Sequence, residues 1–274
     1  MIVRLFCPVC AYEATKRGNP TLIDTFMPVT EVRDDGCYEI TCDAGHATRV
    51  ALKNLKFEVL FELALNGLMD GYQREAVSSF TSSLELFFEF FWRVACTHFG
   101  IPSEEATEAW KSVASQSERQ LGMFITAHLL LTKRAPRLLT NTEVHFRNRV
   151  IHKGVVPSRG AAAKYGDAVQ GLINAGLSEL RVLARDAVES TYDAMVPSLV
   201  ERTPDEIVGG INIVTPVDVK NPVTKENDLR RGGVLDQFQR LKQERLPHKL
   251  SLLTKEELKK RAPDVYKERY PEEG

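Results

Sequence analysis

Residues 72–98 read YQREAVSSFTSSLELFFEFFWRVACTH, and this stretch decides the fold. Val77, Phe80, Leu84, Phe87, Phe88, Phe91, Trp92 and Ala95 recur three and four positions apart, the spacing at which helical side chains share a face. The run predicts a long amphipathic helix whose aromatic stripe enters a core rather than a cofactor pocket. The same period continues on either side. Leu60, Leu63, Ala64 and Leu68 predict a shorter helix that ends at Gly71. Pro102-Ser103 with Glu105 opens another, through about Val113. A further one is expected over 117–133, with Leu121, Phe124, Ile125, Ala127 and Leu130 on one side and Pro136 as the stop. Thr140-Asn-Thr-Glu143 fits a capping box, and Gly154 followed by Pro157 ends the helix it begins. A last long helix is expected over about 161–190, burying Ala168, Leu172, Ile173, Leu177, Leu180 and Leu183. Residues 55–190 therefore read as a helical bundle. The fold class is mainly α with a small N-terminal β module.

Four of the five cysteines, Cys7, Cys10, Cys37 and Cys42, crowd into the first 42 residues, and only Cys96 lies elsewhere. In an intracellular protein such a cluster points to metal rather than to disulfides. Cys7-Pro-Val-Cys10 is a C-x-x-C knuckle that lets two thiolates reach one ion. Cys42-Asp-Ala-Gly-His46 supplies another thiolate and an imidazole. Between the pairs, Asp34-Asp35-Gly36 is a hairpin-turn signal followed by a strand-like run from Cys37 to Cys42. Cys37 competes as a ligand, but it opens that strand, whereas Gly45-His46 ends a turn suited to folding back on an ion. Residues 1–52 are thus expected to form a zinc-ribbon-like module with Cys7, Cys10, Cys42 and His46 as ligands. The pattern resembles the C-x-x-C…C-x-x-G-H variety of zinc ribbon. A full shell leaves no open position, so the zinc is expected to be structural. A unit of ~50 residues builds little core unaided and gains folding energy from such a site.

A net charge of −1, with 43% hydrophobic and 27% charged residues, gives no global basic field. Any contact with nucleic acid must use a local patch. No stretch approaches the ~20 apolar residues of a membrane span. The apolar run in Met-Ile-Val-Arg-Leu-Phe-Cys-Pro is too short for a signal peptide, and a cytoplasmic location is expected. After Pro197 the apolar density falls. Residues 191–274 read as a charged extension, partly ordered at best, that is either disordered in part or packs only against a protein partner. Within it Gly209–Pro216 suggests a strand, and 234–245 and 254–269 suggest short helices. No phosphate-cradling glycine loop, H-E-x-x-H or G-x-S-x-G occurs, so nucleotide hydrolases, metalloproteases and serine hydrolases have no support.

Residues 147–152 read Arg-Asn-Arg-Val-Ile-His, near the end of a well-capped helix. Asn148 and His152 are four apart and share a face, ~40° from each other about the axis. Arg147 lies to the side, with a stem long enough to bring its guanidinium round, while Phe146, Val150 and Ile151 point to the core. These groups suffice for metal-free RNA cleavage. Imidazole, which as a side-chain type titrates near neutrality, serves as the base for a ribose 2′-OH. A guanidinium binds the phosphoryl oxygens bidentately. Asn148 holds the phosphate or fixes the imidazole, and Lys153 adds charge for RNA binding.

Over residues 55–190 the chain resembles the HEPN superfamily, whose small helical bundles carry R-x-x-x-x-H, most often with Asn, Asp or His after the Arg. Arg147, Asn148 and His152 match all three places, and 146–154 is the most specific part of the resemblance. It implies endoribonuclease activity in a homodimer whose motif helices face each other, in toxin–antitoxin, phage-defence or RNA-processing systems. It also implies an acidic or polar residue of the long helix near the motif: Glu85, or alternatively Glu75. Members that serve as scaffolds have commonly lost the Arg or His. The competing reading is a non-catalytic adaptor of ribbon and bundle. His128 and His98 read as structural, and His145 and Ser117-Glu-Arg-Gln120 as solvated positions beside the motif.

Overall fold

The computed structural model describes residues 3–16, 26–29, 31–42, 44–197, 208–222, 228, 230–243, 255–261 and 263. The N-terminal part contains β1 (Val3–Phe6), α1 (Pro8–Lys16), β2 (Phe26–Val29), β3 (Cys37–Thr41) and β4 (Ala47–Leu52). The helical body follows as α2 (Lys56–Asp70), α3 (Gln73–His98), α4 (Ser103–Lys111), α5 (Ser117–Thr132), α6 (Asn141–Lys153), α7 (Arg159–Leu183) and α8 (Arg185–Met195). Then come β5 (Val208–Ile211), α9 (237–243) and α10 (Lys255–Arg261). The protein is mainly helical with a small β module, as its periodicity predicts.

The aromatic helix is the axle of the bundle. α3 packs against α2, α4, α5, α6, α7 and α8, and Phe80, Phe87, Phe90 and Phe91 are fully buried along it. Rings of α3 meet others edge-on (Phe57–Phe87, 5.6 Å between centroids), tilted (Phe61–Phe80, 4.9 Å) and stacked (Phe88–Phe124, 4.5 Å). α7 comes close because two of its contact positions lack a side chain. A Cβ at Gly176 would lie 2.6 Å from Phe87, and one at Gly166 2.7 Å from Phe80. The expected punctuation is present. Gly71 and Gly154 cap α2 and α6 in the left-handed conformation. Thr140 accepts from the Glu143 backbone N–H while the Glu143 carboxylate accepts from that of Thr140.

Two expectations change. The helix predicted over 161–190 is two helices, because Ala184 leaves the helical region (φ −144°, ψ 39°). That bend lets α8 lie along α3, where Thr191 reaches Thr97 at 3.1 Å. The second concerns residues 191–274, read as a charged extension, partly ordered at best, for a protein partner; its described parts pack on the body of the same chain. β5 instead adds in parallel to β4, which is antiparallel to β3. Beyond it, Ile213 exchanges hydrogen bonds with the Asn54 side chain, and the Val219 N–H donates to the buried Glu58 carboxyl at 2.7 Å. Arg181 of α7 donates to the carbonyls of Asp218 and Val219. On α9, Arg240 pairs with Glu62 of α2 at 2.8 Å. Polar backbone and side-chain bonds bind this segment to the body together with Val217, Val219, Val234 and Leu241, which are buried in the main core. Of the expected helix over 254–269, residues 254, 262 and 264–269 lie outside the described residues, as do 244–245 of the one expected over 234–245.

Candidate functional site

The four expected ligands converge. One donor atom from each of Cys7, Cys10, Cys42 and His46 lies within 4.8 Å of the others, so the group can hold a metal ion. The sulfurs of Cys10 and Cys42 are 3.7 Å apart, and His46 Nδ1 is 3.3, 3.5 and 3.8 Å from those of Cys10, Cys42 and Cys7. Their local scaffold departs from the knuckle expected around Cys7. That residue follows β1 directly, and Pro8 begins α1, a position where its missing N–H costs nothing. Cys7 and Cys10 are brought together by the first helical turn, with the Ala11 N–H on the Cys7 carbonyl at 3.0 Å.

Cys42 and His46 bracket the β3–β4 turn. Gly45 there has φ 81°, and its N–H donates to the Cys42 carbonyl. The turn at Asp34-Asp35-Gly36 leads into β3 and does not itself join the two ligand pairs. The thiols differ in acidity. Burial and then the neighbouring thiols of Cys42 and Cys7 push Cys10 up to about 12. Burial raises Cys42 as well, but the N–H groups of His46 and Ala44 together with hydrogen bonds from the Cys10 and Cys7 thiols bring this thiol down to about 7. Cys37, partly buried at the start of β3, is outside the group.

The R-N-x-x-x-H residues are only partly brought together. Val150 is buried and the Phe146 ring packs 5.7 Å from that of Tyr165, which fixes the inner face of α6. Arg147 falls on the same side and turns toward α3. Its Nη2 lies 3.9 Å from Glu85 Oε1, and its Nη1 donates to Asn148 Oδ1 at 2.9 Å. Arg147 Nε is buried and has no hydrogen-bond partner among the described residues. His152 stands exposed on the outer side, as does Lys153. Five residues at ~100° each set His152 ~140° from Arg147 about the axis. Among the described residues no hydrogen bond joins His152 to Arg147 or Asn148. The guanidinium thus swings inward to Glu85 rather than round to the imidazole.

Glu85, taken from the resemblance, is the acidic neighbour of Arg147, whereas Glu75 pairs with Arg74 near the start of α3. Burial pushes the Glu85 carboxyl up, Arg147 opposes this, and Glu118 adds to it. Glu118 belongs to the Ser117–Gln120 segment read as a solvated face. Two further groups escaped the sequence reading, Tyr165 and Thr81. Their hydroxyls are 2.9 Å apart, and burial pushes the phenol up against the influence of Arg147. Tyr165 sits at core spacing on α7, and nothing in its neighbours distinguishes it from an ordinary aromatic core residue.

His128 is structural, as expected. It is buried, stacks on Phe91, and bonds Glu179 at 2.7 Å and the Arg134 carbonyl at 3.0 Å. An open cavity of about 570 Å³ lies between α3, α4 and α8. Its polar lining is paired internally: Arg93 reaches Glu89 and Thr107, each at 2.8 Å. No helix among the described residues is long and apolar enough to cross a membrane. No protein-family model, curated protein or solved structure matches the chain.

Proposed function

We propose that the chain is a HEPN-type, metal-independent endoribonuclease that acts as a homodimer through α6, with a structural zinc module at its N-terminal end. The observation that carries this reading is the state of Arg147. Among the described residues its buried Nε has no partner and its nearest carboxylate stands at 3.9 Å, so a strong donor set on the inner side of α6 is incompletely used, one residue from Asn148. A phosphate entering next to Asn148 would complete it. The 2′ oxygen then bonds to phosphorus and its proton passes to His152. The P–O5′ bond breaks, the leaving oxygen takes a proton from water, and the products are a 2′,3′-cyclic phosphate and a 5′-hydroxyl. Defence or toxin–antitoxin systems are the setting that the resemblance supplies.

Purified protein incubated with RNA in EDTA should produce cyclic-phosphate ends, and His152→Ala should abolish them. Wild-type protein that is dimeric and folded yet cuts no RNA would defeat the proposal.

Zinc fits the ligand cluster. A tetrahedral ion with Zn–S of about 2.3 Å and Zn–N of about 2.0 Å has edges of about 3.8 Å between sulfurs and about 3.5 Å from sulfur to nitrogen. Cys10–Cys42 at 3.7 Å and the three sulfur-to-Nδ1 separations of 3.3–3.8 Å lie close to those edges, and all the donor atoms lie within 4.8 Å of one another. Zinc bound there organises β1, α1 and the β3–β4 turn, and leaves no ligand position for substrate.

The inward turn of Arg147, ~140° from His152, favours a second reading, a non-catalytic RNA-binding or scaffold adaptor. On that reading Arg147→Ala and His152→Ala change binding or stability, and neither affects the growth of an expressing host.

A further inference from the structure

Charge is distributed very unevenly along this chain. Its net charge is −1, yet residues 133–164 hold eight Lys and Arg against a single carboxylate, Glu143. That carboxylate is spent on the Thr140 cap. Some exposed cations elsewhere have acidic neighbours, as Arg33 has Asp35, Lys56 has Asp34 and Lys111 has Glu108, and within the stretch Arg134 reaches Glu179 and Arg147 approaches Glu85. Within this stretch Arg137, Arg149, Lys153 and Lys164 are exposed, and among the described residues they have no ion-pair partner.

The arrangement around α6 gives the patch a direction. His145, Arg149 and His152 are spaced four and three apart, so they form one stripe on the helix. All three are exposed, opposite the buried Val150 and the Phe146–Tyr165 contact. Arg137 precedes the helix and Lys164 follows it, on α7. A helix of 13 residues is ~20 Å long, so the cations are spread rather than gathered round one point. A small anion would touch one or two of them. A polymer with regularly spaced charges would meet them in succession, and its affinity would come from released counterions.

We propose that the outer stripe of α6 and its two flanks, carrying Arg137, His145, Arg149, Lys153 and Lys164, form a track for the phosphate backbone of single-stranded RNA. The choice of RNA rests on the endoribonuclease reading of Arg147, Asn148 and His152; the track itself rests on charge and exposure. It leads the strand past His152, so the backbone is held on either side of the position to be cut. Phosphate contacts of this kind position a strand without reading its bases.

The test uses the full chain and a fluorescent, non-cleavable 2′-O-methyl oligouridylate, with binding followed by anisotropy from about 50 to about 200 mM salt. The triple variant Arg137→Glu, Arg149→Glu, Lys164→Glu changes only exposed positions, and unchanged circular dichroism and melting verify its fold. Its affinity should fall at least tenfold, and its log–log salt slope should flatten by about 2, at about 0.7 per lost single-strand contact. Equal binding by wild type and variant overturns the track. So does wild-type binding to anionic phosphatidylserine vesicles but not to the oligonucleotide, which would make the patch a membrane contact. Cleavage of unmodified RNA is scored separately. Charge-dependent binding without cleavage keeps the track and removes the nuclease, while cleavage untouched by the triple variant does the reverse.

Discussion

Arg240 on α9 meets Glu62 on α2 with both side chains buried, its Nη2 lying 3.0 and 2.8 Å from the two carboxylate oxygens. The same guanidinium donates to Gln237 Oε1 and to the Val214 carbonyl. A desolvated ion pair of this kind is held in place by complete hydrogen bonding and is costly to halve. Arg240→Met leaves the Glu62 charge buried alone and should destabilise the protein by about 3–5 kcal/mol, read from urea unfolding midpoints. Adding Glu62→Leu to that variant should recover most of the loss. A single variant as stable as wild type would show that α9 does not dock in solution.

Glu58 sets a pH dependence. Desolvation pushes its carboxyl from 4.5 up to about 8, with the Val219 N–H opposing and Asp218 adding to the rise. Between those values the unfolded chain has released the proton and the folded chain still holds it. The contribution is therefore complete below about 4.5 and is lost as pH rises toward about 8. Glu58→Gln removes this proton from both states, so its unfolding midpoint should fall less than that of wild type across this interval. Parallel midpoint curves for the two proteins would contradict the assignment.

The metal module supplies a third expectation. Gly209 of β5 lies against Pro8, which follows the first ligand, and β5 also pairs with β4 beyond the second ligand pair. If the proposed zinc occupies this group, elemental analysis should find it in wild type and in Cys37→Ser but not in Cys10→Ser protein. Loss of metal should also speed amide exchange across 208–211, since both supports of β5 are loosened. Unchanged zinc content in Cys10→Ser would remove the centre.

Two glycines of α7 should respond in opposite ways to the same substitution. A Cβ at Gly171 meets nothing within 4 Å, so Gly171→Ala should stabilise by about 0.5–1 kcal/mol through the unfolded chain. Gly176→Ala drives a methyl into Phe87 and should destabilise by about 1–3 kcal/mol. Thermal melts of the two variants check both signs together.

What could be read from the sequence was whatever depends on neighbours along the chain. Thr140 with Glu143, Gly71 and Gly154 mark helix ends through local backbone chemistry. The spacing of Cys7, Cys10, Cys42 and His46 already carries the geometry of a four-ligand cluster. The Ala184 break was hidden because alanine favours helix, and only the packing of Thr191 and Tyr192 against distant groups turns the chain there. The direction of Arg147 was hidden for a similar reason. A helical wheel gives the angle of its Cα, but Glu85 and Tyr165, from other helices, decide where the guanidinium goes. The docking of Ile213, Val219 and Arg240 uses Asn54, Glu58 and Glu62, charged or polar residues whose burial no apolar periodicity announces.

The parallel pairing of β5 with β4 has a consequence during synthesis on the ribosome. β4 emerges early, but its second edge has no mate until residues 208–211 have been made. At ~5–20 residues per second the intervening chain takes on the order of ten seconds or more to appear. Throughout that interval a nascent chain displays an open sheet edge, the kind of surface that recruits other strands. Chaperone capture or aggregation of truncated polysomal products would therefore centre on residues 47–52.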